Sequence, residues 1–296
     1  MANAKIIIAT HKKYRMPDDP LYLPLHVGAE GKKDADGNPL DLGYVKDNTG
    51  DNISEKNSEY CELTGLYWAW KNLDADYLGM VHYRRYFGSD KIKVSPLNGV
   101  LASVQNKVHL EKIPAKDPFD CILTSEEFFP MLDSYDVFVP RKRNYYIETI
   151  YSHYSHTHYE EHLIETRRIL LSKYPEYVEG YDKVLNARKA HMFNMCIMRR
   201  DLMERYCAWL FSVLFELEKR TAKKNANLSV FQSRFYGRVS EILFNVWLDC
   251  QIRDGMIDPE RIKELPFIYM EPIDWWKKGT SFLKAKYFGK KYQGSF

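Results

Sequence analysis

The chain has 296 residues, 45% of them hydrophobic and 28% charged, which suits one large globular domain or two small ones. A net charge of +3 excludes a polyanion binder acting over its whole surface, and no run approaches the ~20 apolar residues of a membrane span. The five cysteines are scattered without a CxxC pair, and the start has no signal-peptide layout, so free thiols and a cytoplasmic location are expected.

Lys5 to Thr10 (KIIIAT) reads as a buried strand of a parallel sheet. It runs into His11-Lys12-Lys13-Tyr14, at the strand end where open α/β sheets bind ligands, so Thr10, His11 and Lys12 are candidate nucleotide contacts. Residues 17 to 57, rich in Pro, Gly, Asp and Asn, read mostly as loop. Glu59 to Asn72 carries Leu63, Leu66, Tyr67 and Trp70 at helical spacing, with Ser58 placed to cap it. A strand from Tyr77 to His82 follows and delivers His82-Tyr83-Arg84-Arg85 to its end. Strand alternation predicts that only one of the two arginines faces a ligand.

Tyr135 to Pro140 is the next strand, followed by Arg141-Lys142-Arg143. Thr157-x-x-Glu160 has capping-box form and predicts a helix to about Lys173, stopped by Pro175. Asn194 to Arg199 reads as a strand. Asp201-x-x-Glu204 opens a long helix to about Lys219, and Ser240 to Cys250 is a further helix. Strands alternating with helices make the fold α/β, read as a single domain over 1–270. The segment 271–296 mixes aromatics with lysines (Trp275-Trp276-Lys277-Lys278, then Lys284 to Lys291) and reads either as a tail for an anionic membrane surface or as a solvated end.

Permanently charged arginine forks match phosphate oxygens, so His82-Tyr83-Arg84-Arg85 suits a negatively charged ligand. An exposed strand end paired with Asp74, Asp76 or Asp90 is the plain structural alternative. Arg238, Glu241, Asn245 and Asp249 form one polar stripe on a helix, either a solvated face or a set of functional groups. His191 and Asn194 precede a strand, as sugar-binding groups or as a buried polar pair. His158 and His162 stand at i, i+4, which is zinc-like spacing, but no HExxH arrangement accompanies them. There is no P-loop, GxGxxG or GxSxG.

The run from Ser58 to Phe87, ending GMVHYRRYF, closely resembles a family of uncharacterised function encoded in bacterial capsular and exopolysaccharide gene clusters, whose members are taken to be glycosyltransferases. The resemblance extends through PLHVGA (Pro24 to Ala29), VPRKRNYYIETIYSHYSHTHY (Val139 to Tyr159), HMFNMCIMRRDLMERYCAWLF (His191 to Phe211) and QSRFYGRVSEILFNVWL (Gln232 to Leu248). It implies a GT-A-like nucleotide-sugar-binding fold, with a mainly parallel or mixed sheet flanked by helices. The implied partners are a UDP-sugar donor and a lipid-linked oligosaccharide acceptor in surface polysaccharide synthesis, with the enzyme cytoplasmic or peripheral at the inner membrane face. Galactose, as pyranose or furanose, is the sugar it suggests.

In such folds an acid near the start of a late helix deprotonates the acceptor hydroxyl, a role that falls to Glu241, with Asp249 as runner-up. Thr10, His11, Lys12, His82, Tyr83, Arg84, Arg85 and Arg238 would then serve the donor and its diphosphate. Arg141, Arg143, His158, His191 and Asn194 would serve the acceptor or sugar. Other GT-A transferases hold a divalent metal on an Asp-x-Asp at the strand end. None stands here, so no metal ligand is assigned and an inverting, metal-independent reaction is expected. The rival readings are a non-catalytic RNA- or polyanion-binding module, which the near-neutral charge argues against, and a zinc hydrolase built on the histidines. No nucleic-acid partner is expected.

Overall fold

The computed structural model describes residues 2–89, 117–225 and 228–271, together with Thr280, Lys286 and Lys291. The basic aromatic tail therefore lies outside the described residues except at those three positions. Strand β1 (Ala4–Thr10) is central. It pairs in parallel with β2 (Tyr22–His26) on one side and with β4 (Tyr77–His82) on the other, and β2 pairs with the short β3 (Val45–Lys46). Beyond β4 lies β9 (Cys196–Arg199), antiparallel to both β4 and β6 (Val137–Pro140), and then β10 (Ile262–Leu265), parallel to β6. The order β10-β6-β9-β4-β1-β2-β3 is a mainly parallel sheet interrupted by one antiparallel strand. Two-sided burial explains the continuous apolar run in β1, where Ile6, Ile7 and Ile8 are fully buried.

β5 (Arg85–Phe87) turns back against β4, and β11 (Phe267–Tyr269) extends that hairpin. β7 (Arg143–Asn144) and β8 (Lys189–Ala190) form a separate two-stranded ladder. The longer helices are α1 (Leu63–Asn72), α2 (Ile150–Thr157), α3 (Glu161–Lys173), α4 (Val178–Asn186), α5 (Arg200–Asn225) and α6 (Phe235–Arg253). Helices α1 and α5 pack on the sheet, and Phe211 of α5 stacks on Trp70 of α1 at 5.9 Å between ring centroids. No helix among the described residues is long and apolar enough to cross a membrane.

Two sequence expectations need correction and one needs an addition. Residues 17 to 57 are mostly loop, as expected, but they also hold the short strands β2 and β3. Pro24 inside β2 masks the strand in the sequence, and pairing with β1 supplies it. The helix expected from Glu59 to Asn72 is broken. A single turn, Asn57–Tyr60, ends at Cys61 (φ 53°, ψ −128°), and α1 begins at Leu63, so Ser58 is not its cap. The helix expected from Thr157 to Lys173 does not start there. Thr157 ends α2, with its hydroxyl donating to the His153 carbonyl at 2.8 Å, and the capping box is Thr149 with Ser152.

The sheet's parallel strands end at one edge. There Asp47, fully buried, accepts from the Gly28 and Ala29 amides (2.8 and 3.0 Å) and from the Ser54 and Thr64 hydroxyls (2.5 and 2.7 Å). Gly28 sits at φ 65°, and a Cβ there would collide with the Asn57 side chain. The end of the PLHVGA segment, after β2, is thus a tight turn clamped through Asp47 to the N-terminal end of α1.

Candidate active site

Tyr83 and Arg84 form the turn between β4 and β5, with His82 paired to Arg85. The chain therefore reverses between the two arginines, and they part because of a hairpin rather than by alternation along one strand. Arg84 is exposed, with Nη1 3.3 Å from Glu271 Oε2, while Glu271 Oε1 lies 4.0 Å from Lys12 Nζ. Lys12 also lies over the Tyr83 ring at 5.2 Å, and His11 meets that ring edge-on. The Thr10 hydroxyl donates to the Lys12 carbonyl at 2.7 Å, so it shapes this loop. Burial lowers the His11 pKa, reinforced by Lys12, Arg84 and Arg234.

Arg85 has different surroundings. It is half-buried between Phe193 (3.8 Å from guanidinium to ring) and Tyr269 (4.7 Å). Its Nε is buried without a hydrogen-bond partner, and no carboxylate lies in ion-pair distance of it among the described residues. His82 donates from Nε2 to the Phe193 carbonyl at 2.6 Å. Burial lowers its pKa, opposed by Glu62 and reinforced by Arg85. A neutral His82 with its one N–H so committed holds the Phe193 loop in place.

That loop is strained. Phe193 (φ 80°) and Asn194 (φ 53°) both adopt left-handed backbone, as does Cys61 opposite them. Hydrogen bonds from three segments lock it. The Asn194 amide donates to Glu62 Oε1 (2.6 Å) and to the Gly237 carbonyl (2.8 Å), and the Ser240 hydroxyl donates to Asn194 Oδ1 (2.7 Å). Asn194 thus ties the break before α1 to the first turns of α6.

Glu241 lies one turn further along α6. It is half-buried, and its carboxyl has no hydrogen-bond or ion-pair partner among the described residues. Burial pushes its pKa up to about 7, opposed by Arg238, while Glu62 adds to the rise and Arg85 and Arg143 counter it. Arg238 lies 4.7 Å over the Phe231 ring, and its Nε is also buried without a partner. Glu62, Arg85, Arg143 and Arg238 thus all act on the Glu241 carboxyl, and neither Arg85 nor Arg238 forms an ion pair with an acid among the described residues. The runner-up Asp249 is two turns further along α6 and ion-paired with Lys183 at 2.5 Å. Among the described residues no three His, Cys, Asp or Glu side chains converge as a metal site.

The residues expected on the acceptor side divide. Arg143, held in β7, lies over Tyr145 at 4.8 Å and acts on Glu241, whereas the Arg141 side chain is exposed. His191 is a buried structural group. Its Nδ1 donates to the Pro140 carbonyl at 2.7 Å, its backbone is held at both N–H and C=O by Asn245, and burial pushes its pKa down to about 4. His158 is buried too, donating from Nδ1 to Gln232 at 2.8 Å, with burial taking its pKa well below the ordinary value. It caps α2, while His162 lies in α3 stacked on Phe235 at 3.7 Å, so the zinc-like spacing does not belong to one helix. His153 and His156 hydrogen-bond Glu148 at 3.0 and 2.7 Å. Burial acts to raise the pKa of Glu148, but these bonds hold it down at about 2.

The sequence profile described as a domain of unknown function (DUF4422) matches residues 5–252. The chain belongs to this family. No curated protein matches the sequence. The apo structure of WbbM, described as a bifunctional glycosyltransferase, is 28% identical and superposes with a TM-score of 0.75. The match covers 91% of this chain and 46% of WbbM, so the DUF4422 chain spans less than half of that protein's length. With the sheet order above, this makes the fold GT-A-like.

Within this DUF4422 fold, the site residues that sequence reasoning missed are Glu62 and the rings of Phe193 and Tyr269, and it also missed the buried Asp47 that clamps the neighbouring turn. Glu62 lay inside an apparently continuous helix with no Pro or Gly to mark the break. Asp47 was one acid among many in a polar stretch.

Proposed function

We propose that the chain is a glycosyltransferase that moves a hexose from a nucleoside-diphosphate sugar, a UDP-sugar by preference and galactose by resemblance, to a lipid-linked oligosaccharide acceptor in surface polysaccharide synthesis, working at the cytoplasmic face of the membrane. The observation that carries this reading is the unpartnered Glu241 carboxyl, its pKa near 7, beside the unneutralised Arg85 at the carboxyl ends of the parallel strands. The likeness to a bifunctional glycosyltransferase supports it.

A general base works best with a pKa near the working pH, and Glu241 is charged above about pH 7. It takes the proton from the acceptor hydroxyl as that oxygen attacks the anomeric carbon, and the bond to the diphosphate breaks with inversion. Arg85 faces the departing diphosphate and stabilises its growing charge. Lys12, His11, Tyr83 and Arg84, at the ends of β1 and β4, hold the nucleotide. A guanidinium in this place removes the need for a divalent metal in leaving-group stabilisation.

The experiment is a thermal-shift screen of UDP, GDP and CMP with and without chelator. Saturable stabilisation by UDP that survives chelator is expected. No stabilisation by any nucleotide at millimolar concentration sinks the transferase reading, and strict metal dependence sinks the metal-independent part.

A further inference from the structure

We infer that Glu62 is a specificity residue of the transfer site, whose Oε2 accepts a hydrogen bond from a ring hydroxyl of the transferred hexose. The inference rests on the transferase reading above and adds how the sugar of the donor is recognised.

Glu62 is placed both by its own backbone and by distant segments of chain. It follows Cys61, whose left-handed backbone (φ 53°) breaks the helical run just before α1. Its Oε1 accepts from the Asn194 amide at 2.6 Å, and the same amide nitrogen donates to the Gly237 carbonyl at 2.8 Å. Helix α6 lies directly against the break, since a Cβ at Gly237 would stand 3.8 Å from Glu62 Oε1 and 3.9 Å from Cys61 Cβ. Asn194 also sets where Glu62 stands relative to the reacting groups. Its Oδ1 accepts from the hydroxyl of Ser240, the neighbour of Glu241, at 2.7 Å. The residue before it, Phe193, carries the Arg85 guanidinium 3.8 Å from its ring.

Glu62 is therefore anchored to a loop that meets α6 beside Glu241 and meets Arg85 through the Phe193 ring. In an inverting displacement the base and the leaving group lie on opposite faces of the sugar ring. A group anchored beside both Glu241 and Arg85 is placed to face the hexose itself. Holding Asn194 uses only one carboxylate oxygen. Oε2 has no hydrogen-bond or ion-pair partner among the described residues, and the side chain is half-buried. A carboxylate offers only acceptors and a hexose ring presents hydroxyl donors, so the two match. Hydrogen bonds to a carboxylate are about twice as strong as neutral ones. A site built around such a bond rejects sugars that lack the hydroxyl or carry it on the other face.

The test is calorimetric titration of UDP, UDP-galactose, UDP-glucose and UDP-N-acetylglucosamine into the parent chain, Glu62→Gln and Glu62→Asp. At least one of the UDP-sugars is expected to bind the parent. In Glu62→Gln the Asn194 bond takes the amide oxygen and turns the NH2 group toward the sugar. Affinity for that UDP-sugar should then fall about tenfold or more, as for one charge-assisted hydrogen bond. Glu62→Asp keeps the charge but withdraws it by one methylene, and a similar loss is expected. UDP affinity should stay within about twofold in both variants, which also shows that they fold. Equal losses for UDP and the UDP-sugar would make Glu62 a structural residue and overturn the inference, as would an unchanged UDP-sugar affinity in Glu62→Gln. Full affinity in Glu62→Asp would mean that the acid acts through its charge at a distance, and overturns the contact as well. So does a parent chain that binds UDP but none of the UDP-sugars. Should UDP itself fail to bind, the transferase reading falls first, and this inference with it.

Discussion

Arg84 and Arg85 are consecutive in the chain, yet they belong to regions of opposite character. The outer region, Lys12, Arg84 and Glu271, is largely exposed, and both of its cations face the one Glu271 carboxylate. The inner one, Arg85, Arg238, Glu62 and Glu241, is half-buried, and its guanidiniums have no acid partner among the described residues. Exposed ion pairs are screened and contribute little, whereas half-buried charges without an ion-pair partner interact strongly with whatever approaches them. The contrast separates a rim that holds a ligand from a centre that acts on it.

The largest effect should come from the centre. Glu241→Gln is expected to lower kcat by about 10² to 10⁴, the usual worth of a general base, with nucleotide affinity little changed. In the parent chain kcat/KM should rise with pH through about 7, and the variant should lose that limb. Stability should move the other way. The pKa of Glu241 is raised from 4.5 to about 7, so between those values the native state holds a proton that the unfolded chain has lost. Stability therefore falls as pH rises through that window, and Glu241→Gln should be the more thermostable protein at pH 8. A variant that keeps most of its transfer activity would remove Glu241 from the role.

Arg85→Ala comes next, with a loss of about 10² to 10³ in kcat if it stabilises the leaving group. Measuring Arg84→Ala beside Arg85→Ala is the sharpest break of the comparison, because equal losses would erase the distinction between rim and centre. Asp47→Ala lies in neither region. It strands two amides and two hydroxyls, and chemical denaturation should report a loss on the order of 3 kcal/mol with the activity of the folded fraction retained. If its kcat fell as far as that of Arg85→Ala, the turn clamped by Asp47 would itself belong to the centre. The smallest effects are expected at the rim, where Glu271→Gln should change stability by less than about 1 kcal/mol, as for other exposed pairs. Denaturation of Glu271→Gln showing a larger loss would mean that the rim pair is less exposed to solvent than its geometry implies.

Much of the scaffold was legible before any coordinates. The apolar run in β1, the strand ending at His82 and the amphipathic spacing in α5 and α6 are short-range patterns, and each appears near its expected bounds. Glu241 was legible as an acid near the start of a late helix. Asp249, the runner-up, and Asn245 share that stripe, and a helical wheel does not say which turn meets a cleft. The structure divides them: Asn245 binds the His191 backbone and Asp249 binds Lys183.

What the amino-acid sequence determined by itself is therefore the set of elements and the kinds of charge placed at their ends. Those follow from periodicity and residue type over a few turns of chain. The tertiary structure alone decided which of these groups meet. The left-handed Asn194 that bonds both Glu62 and Gly237, and the pairing of Arg85 with Tyr269 of β11 that fixes it away from Arg84, depend on partners more than 40 residues away. Such contacts form only once the sheet has brought distant segments together, and no local pattern encodes them.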